Sequence, residues 1–279
     1  MNSNQLAPEW ACQKATILAW PHSNSDWAAS LDEIEKIYIV LSKSICEYQL
    51  LIIAAYNDSH LLHIKQLLIN LSANIKNILF VTIPTNDIWI RDYGPVYINS
   101  SGQLTLLDFE FDGWGQKYNY KLDNAFNSKL INQLKIDAYY YHAGQILEAG
   151  NIDINNRGEL LYGADCFKRK IYTPSNELIN LEKLFVNWFG CSQVYTVTGV
   201  KLIGDDTNGH IDTLARFCSD DIIVYSSIGN SNDANNEALS FLCTQLESIK
   251  KLSNNRLDII PLPLPDPIFS FGKQLPATY

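Results

Sequence analysis

An α/β protein is predicted by two features of the 279-residue chain: short apolar or alternating runs recur along it, and amphipathic stretches of helical period separate many of them. Hairpin turn chemistry, concentrated beyond residue 92, adds inserted hairpins to that scheme. In order, "ATILAW" (15–20) and "QLLIIAAY" (49–56) read as strands flanking a helix over 26–46, and "NILFVTIP" (77–84) follows a second helix over 58–73. The first two strands are thus joined by a helical crossover. "PVYIN", "SSG" and "QLTLLDFEF" make one hairpin, and "GNIDI", "NNRG" and "ELLYG" another. A helix near 175–189 leads into "SQVYTV". "HIDTLARF" and "DIIVYSS" flank an acidic turn at Ser219 to Asp221, and a helix near 233–250 leads to "LDIIPLPLPDP". No low-complexity linker interrupts this, so 1–279 is expected to be a single domain. A strand, helix, strand unit recurs loosely, about every fifty to sixty residues, which points to a modular closed architecture.

Composition narrows the function classes. A hydrophobic share of 47% and a charged share of 18% are those of a globular chain with a sizeable core. The net charge of -9 argues against nucleic acid and suits a small cationic ligand. The six cysteines, Cys12, Cys46, Cys166, Cys191, Cys218 and Cys243, form no CxxC pair, so neither a zinc site nor a redox motif is indicated. Scattered thiols without a signal peptide imply a reducing compartment, and no apolar run reaches membrane-spanning length. A cytoplasmic protein without membrane partners is expected.

Three stretches carry candidate chemistry. "NDIWIRDYGP" (86–95) packs Asp87, Arg91 and Asp92 beside Trp89, in what otherwise reads as a strand leaving a core and closed by a Gly-Pro turn. "LEAGNIDI" places Glu148 before Gly150, which permits close backbone approach. Alone, Glu148 reads as an ordinary surface acid. In "GDDTNGHIDTLARF", a strand beginning near His210 would put His210 and Asp212 on one face, about 6 to 7 Å apart. Asp92, Glu148 and Asp212 with His210, three acids and one imidazole, suit either a metal ion or a cationic organic group. Zinc would need ligands gathered from distant places, since there is no HExxH and no second histidine near His210. A planar guanidinium needs less, because each carboxylate can take a pair of its N–H donors and Trp89 can offer a flat face.

Together these stretches resemble the agmatine deiminase and bacterial peptidyl-arginine deiminase family of the guanidino-group-modifying pentein superfamily. The resemblance runs through "APEW", "LAWPHSNSDW", "NDIWIRDYGP", "LLDFEFDGWGQKY", "LEAGN", "GDDTNGHIDTLARF" and "PLPLPDPIFSFGKQLPATY". It implies a five-bladed α/β propeller of pseudo-fivefold symmetry with the substrate at its centre. On the matched positions Asp92 and Asp212 would grip the guanidinium, His210 would be general acid and base, and Glu148 would hold His210 and the guanidinium in register. Trp89 and Asn208 would join them in binding substrate. The implied reaction is covalent: a cysteine thiolate attacks the guanidinium carbon, ammonia leaves, and water releases a ureido product. The substrate would be agmatine or peptidyl-arginine, with no cofactor or metal, and a homo-oligomer is compatible with it.

The family's nucleophilic cysteine lies in a glycine-rich segment after the counterpart of "LPATY", where these 279 residues stop. The resemblance therefore expects a C-terminally truncated deiminase, with the last blade incomplete or missing and no turnover as it stands. Cys218 shares the assumed strand parity of His210 but would stand about 26 Å away along extended chain. Cys166, just beyond the hairpin after Glu148, stays open on geometry, while the other thiols read as structural. Two alternatives remain: a catalytically silent binder of guanidino compounds, and a metal-dependent hydrolase using His210, Asp212 and Glu148. Glu9, Asp205 and Asp206 are candidate partners for a substrate amine, or simply solvated acids.

Overall fold

The computed structural model describes residues 4–70, 74–167, 180–227, 234–270 and 272–275. The start of the helix expected near 175–189, the end of that over 58–73, the first residue of that near 233–250 and the last four residues of the terminal motif lie outside them. The strands run β1 (Asn4–Leu6), β2 (Ala15–Ala19), β3 (Leu50–Ala55), β4 (Ile78–Thr82), β5 (Val96–Ser100), β6 (Gln103–Glu110) and β7 (Tyr139–Ile146). They continue as β8 (Ile152–Ile154), β9 (Glu159–Gly163), β10 (Gln193–Val197), β11 (Ala215–Phe217), β12 (Ile222–Ser227) and β13 (Asp258–Pro263). The helices are α1 (Leu31–Tyr48), α2 (Asp58–Asn70), α3 (Ile90–Tyr93), α4 (Gly113–Gln116), α5 (Lys121–Asn124) and α6 (Phe126–Leu134). After them come α7 (Leu181–Phe189), α8 (Ile211–Leu214) and α9 (Asn236–Leu252). They divide into two compact units: Cys12–Val96 with Leu106–Ala149, and Met1–Ala11 with Tyr97–Thr105 and Gly150–Tyr279.

In the first of these units β3 is the central strand of the parallel sheet β2-β3-β4. Its uninterrupted apolar sequence follows from burial on both faces. Leu51, Ile53 and Ala55 join Trp20, Tyr38, Ile64 and Leu68 on one side, while Ile52 and Ala54 join Tyr93, Phe111, Trp114 and Phe126 on the other. Helix α1 lays Tyr38, Ile39, Ser42 and Cys46 inward at helical spacing. Parallel neighbours require crossovers, and α1 and α2 supply them. The aromatic strand β7 and the helices α4 to α6 lie outside the sequence expectations, because their polar, short or tyrosine-rich segments carry no clean period.

The other unit repeats the crossover twice. Strands β9 and β10 are parallel and joined through α7, and β12 and β13 are parallel and joined through α9. Each pair carries a short antiparallel neighbour, β8 or β11. Leu239, Leu242, Leu246 and Ile249 of α9 pack into a core with Tyr195, Val197, Ile211, Leu214, Phe217 and Ile223. The hairpin between β5 and β6 turns through Ser101 and Gly102, both in the left-handed region, and Asn99 Oδ1 accepts the Gly102 N–H at 2.7 Å.

Candidate active site

Candidate residues fall in both units, and each group is built by its own local structure. In the first, the chain leaves the carboxyl end of β4 and enters the acidic stretch, the place where parallel sheets commonly present functional loops. The stretch is not a strand. Residues 90–93 form the helical turn α3, with the Asp92 N–H bonded to the Trp89 carbonyl at 3.0 Å. Packing of Tyr93 decides this: its ring is buried against Phe111 and Phe126, and its hydroxyl donates to the Asp87 carbonyl at 2.6 Å. Gly94 ends the turn, and a Cβ there would stand 2.4 Å from the Ile90 carbonyl oxygen.

The turn buries Asp92, whose Oδ2 accepts the indole N–H of Trp114 at 2.9 Å. Trp114 holds the left-handed conformation with Gly113, Gly115 and Gln116, an unusual run for which the "DGWG" sequence is the signal. Asp112 Oδ1 closes it by accepting the Gly115 N–H at 3.0 Å. Trp114 is the site residue that the sequence reading misses. Trp89 is 52% exposed and lies against Trp27, whose indole is tied to Asp87 Oδ1 at 3.0 Å. Behind the stretch, fully buried Asp123 accepts the backbone N–H groups of Asn86 at 2.6 Å and Asp87 at 3.3 Å. Its Oδ2 has no hydrogen-bond partner among the described residues, and burial pushes its pKa up to about 7. Glu148, just past β7, is buried and not a surface acid.

In the other unit, His210 does not begin a strand. It caps α8, with Asp212 in the first turn, and the strand starts only at Ala215. The alternation argument for His210 and Asp212 therefore fails, as does the extended-chain distance to Cys218. The reason lies in the preceding loop. Asp205 is buried and saturates its carboxylate with loop donors: the Thr207 N–H at 2.8 Å, the Thr207 hydroxyl at 2.6 Å and the Gly209 N–H at 2.7 Å. Thr207 Oγ1 then accepts the His210 N–H at 3.1 Å, and the His210 carbonyl accepts from Thr213. His210 is 1% exposed.

Asn151 fastens this loop to the sheet by accepting the N–H groups of Gly163 and Ile211 at 3.1 and 3.3 Å. Gly163 must lack a side chain, because a Cβ would stand 2.5 Å from the Gly209 carbonyl oxygen and 2.6 Å from Asn151 Oδ1. Asn208 sits at positive φ beside Gly209, and its carbonyl and that of Thr207 face the Cys166 sulfur at 3.6 and 3.4 Å. Cys166 Sγ and a ring nitrogen of His210 lie within 4.8 Å of one another. Of the amine candidates, Asp205 is consumed by the loop, Glu9 stands 3.4 Å from the Arg216 guanidinium, and Asp206 is exposed. Cys191 is buried and its thiol pushed up to about 12, so it supplies little thiolate near neutrality.

Residues 5–279 match the Porphyromonas-type peptidyl-arginine deiminase family. The chain belongs to this family. Among deiminase structures, that of the substrate-bound cysteine-to-serine variant of C. jejuni agmatine deiminase is 33% identical. It superposes with a TM-score of 0.86 over 99% of this chain and 78% of that one. A Legionella pneumophila (strain Paris) protein provisionally named agmatine deiminase is 27% identical over 98% of this chain and 78% of its own length. The agmatine deiminase of Pseudomonas syringae pv. tomato is 22% identical over 95% of this chain and 72% of its own length. As a deiminase-family protein the chain has the α/β fold of these structures. Among the described residues no helix is long and apolar enough to cross a membrane.

Proposed function

We propose that this protein hydrolyses a guanidinium to a ureido group and ammonia, acting on agmatine or on peptidyl-arginine in the cytoplasm. The family match over residues 5–279 carries the reading, because it spans every residue given a role here. Asp92 and Asp212 supply carboxylates to the guanidinium N–H groups, and Glu148 helps to orient it. The Trp114 indole keeps the Asp92 carboxylate in one orientation, which suits a bidentate grip. Trp89 offers an indole face and Asn208 an amide to the substrate.

His210 moves the protons. After a cysteine thiolate adds to the guanidinium carbon, the C–N bond breaks and ammonia leaves with a proton from the imidazole; the same imidazole then takes one from the water that releases the product. Burial of His210 and the fixed backbone of the Asp205 loop suit that role, since a proton donor works only from a held position. The resemblance assigns the attacking thiol to a glycine-rich segment of the family.

The test is ammonia release by the full-length protein, with agmatine and with an arginine-containing peptide. One of the two should turn over, and His210→Ala should lower kcat about 10²–10⁴-fold. Absence of ammonia from both substrates would refute the reading.

A further inference from the structure

Cys166 is a thiol that the proposed chemistry does not use, yet it shares its surroundings with the imidazole that the chemistry needs. We infer that Cys166 and His210 together bind a borderline-soft divalent cation of the zinc class, and that the bound cation holds the imidazole out of use. A thiolate and an imidazole are the ligand pair zinc prefers, and tetrahedral coordination places such a sulfur and nitrogen about 3.6 Å apart. The pair already lies within 4.8 Å. Cys166 is part-buried, so an ion can reach it.

Both ligands are held by their own supports. Cys166 sits in the 3₁₀ turn Asp165–Phe167, where Ala164 donates to Val197 at 2.8 Å and Phe167 to Ala164 at 3.2 Å. The Asp165 carboxylate accepts from the Gly199 N–H and from Thr198 Oγ1. The backbone at His210 is held by Thr207 and, through it, by Asp205. Such outer supports are what make a metal site precise, because they remove the freedom each ligand would otherwise lose on binding. The Cys166 sulfur now donates its proton to the Thr207 carbonyl at 3.4 Å. On binding, that proton goes to solvent and the sulfur coordinates as thiolate beside the neutral ring, so affinity rises with pH.

Binding itself does not depend on the deiminase reading. Only its inhibitory consequence rests on the role given to His210. The probe is Co²⁺, whose bond to a thiolate gives an intense near-ultraviolet charge-transfer band, followed by displacement with Zn²⁺. The protein should show the band at one equivalent, Cys166→Ser should abolish it, and His210→Ala should weaken Co²⁺ binding at least tenfold. In the unaltered protein, Zn²⁺ should slow iodoacetamide labelling of Cys166 at least tenfold, read by peptide mass, whereas Mg²⁺ should not. A band that survives in Cys166→Ser, or labelling that Zn²⁺ leaves unchanged, overturns the proposal. If Zn²⁺ binds and no ammonia is ever released, the metal site stands and the deiminase reading falls.

Discussion

At the scale of single residues, the account turns on acids whose surroundings give them different tasks. Trp114 donates to Asp92, and replacing it by phenylalanine leaves a buried carboxylate oxygen short of a donor, a loss of about 1–3 kcal/mol. Trp114→Phe should therefore lower kcat/KM roughly tenfold to a hundredfold with the fold retained, as steady-state kinetics and circular dichroism would show. Asp123 gives a pH signature. Unfolded it titrates near 3.8, and folded at about 7, so between those values the folded protein holds the proton more tightly and stability rises as pH falls. His22 and His60, both depressed mainly by burial, act oppositely: their contribution fades as pH falls from 6.5 towards about 4 for His60. Comparing Asp123→Asn with the native protein cancels the histidines. Urea midpoints should show the variant more stable by about 4 kcal/mol at pH 8 and close to level with it near pH 4. Asp92, Glu148, His210 and Asp212 were nameable as candidates from the sequence through the resemblance of the words around them to a known family. The Asp92–Trp114 bond was not, because 22 residues separate its partners and no period links them.

Among the elements, crossovers and hairpins were legible where one physical rule governs the segment. The run "LLIIAA" has to be a doubly buried strand, and Ser101-Gly102 has to be a tight turn. The functional segments were misread where tertiary contacts override local pattern: Tyr93 draws residues 90–93 into a helical turn, and the Asp205 loop feeds residues 211–214 into another. A strand reading of "HIDTLARF" was right only from Ala215 onward. A close backbone approach behind His210 gives the prediction at this scale. Gly163→Ala inserts a methyl group against Gly209 and Asn151, so it should destabilise by about 1–3 kcal/mol and reduce activity beyond what the lost stability explains. Gly102→Ala, with nothing within 4 Å of its Cβ, is strained only by its positive φ and should lose stability without a specific loss of activity. Equal effects of the two on kcat would contradict the role given to the loop.

For the whole molecule, each compact unit is assembled from separated segments, and we propose that the chain folds as one domain. Four of the six tryptophans, at 20, 27, 89 and 114, belong to the first-described unit, so fluorescence weights that unit while far-ultraviolet circular dichroism averages both. Coincident urea transitions by the two probes would agree with a single domain, and separated ones would not. The acidic balance of the chain, -9, favours cationic substrates and should make their capture weaken with added salt. The central claim is recognition of a guanidinium by Asp92 and Asp212, and calorimetric titration with agmatine tests it most directly. Saturable binding should weaken about 10- to 100-fold in Asp92→Ala and in Asp212→Ala, each shown folded by circular dichroism, while Glu47→Ala, an exposed acid on α1, leaves it unchanged. Binding that both aspartate variants retain in full would contradict the account.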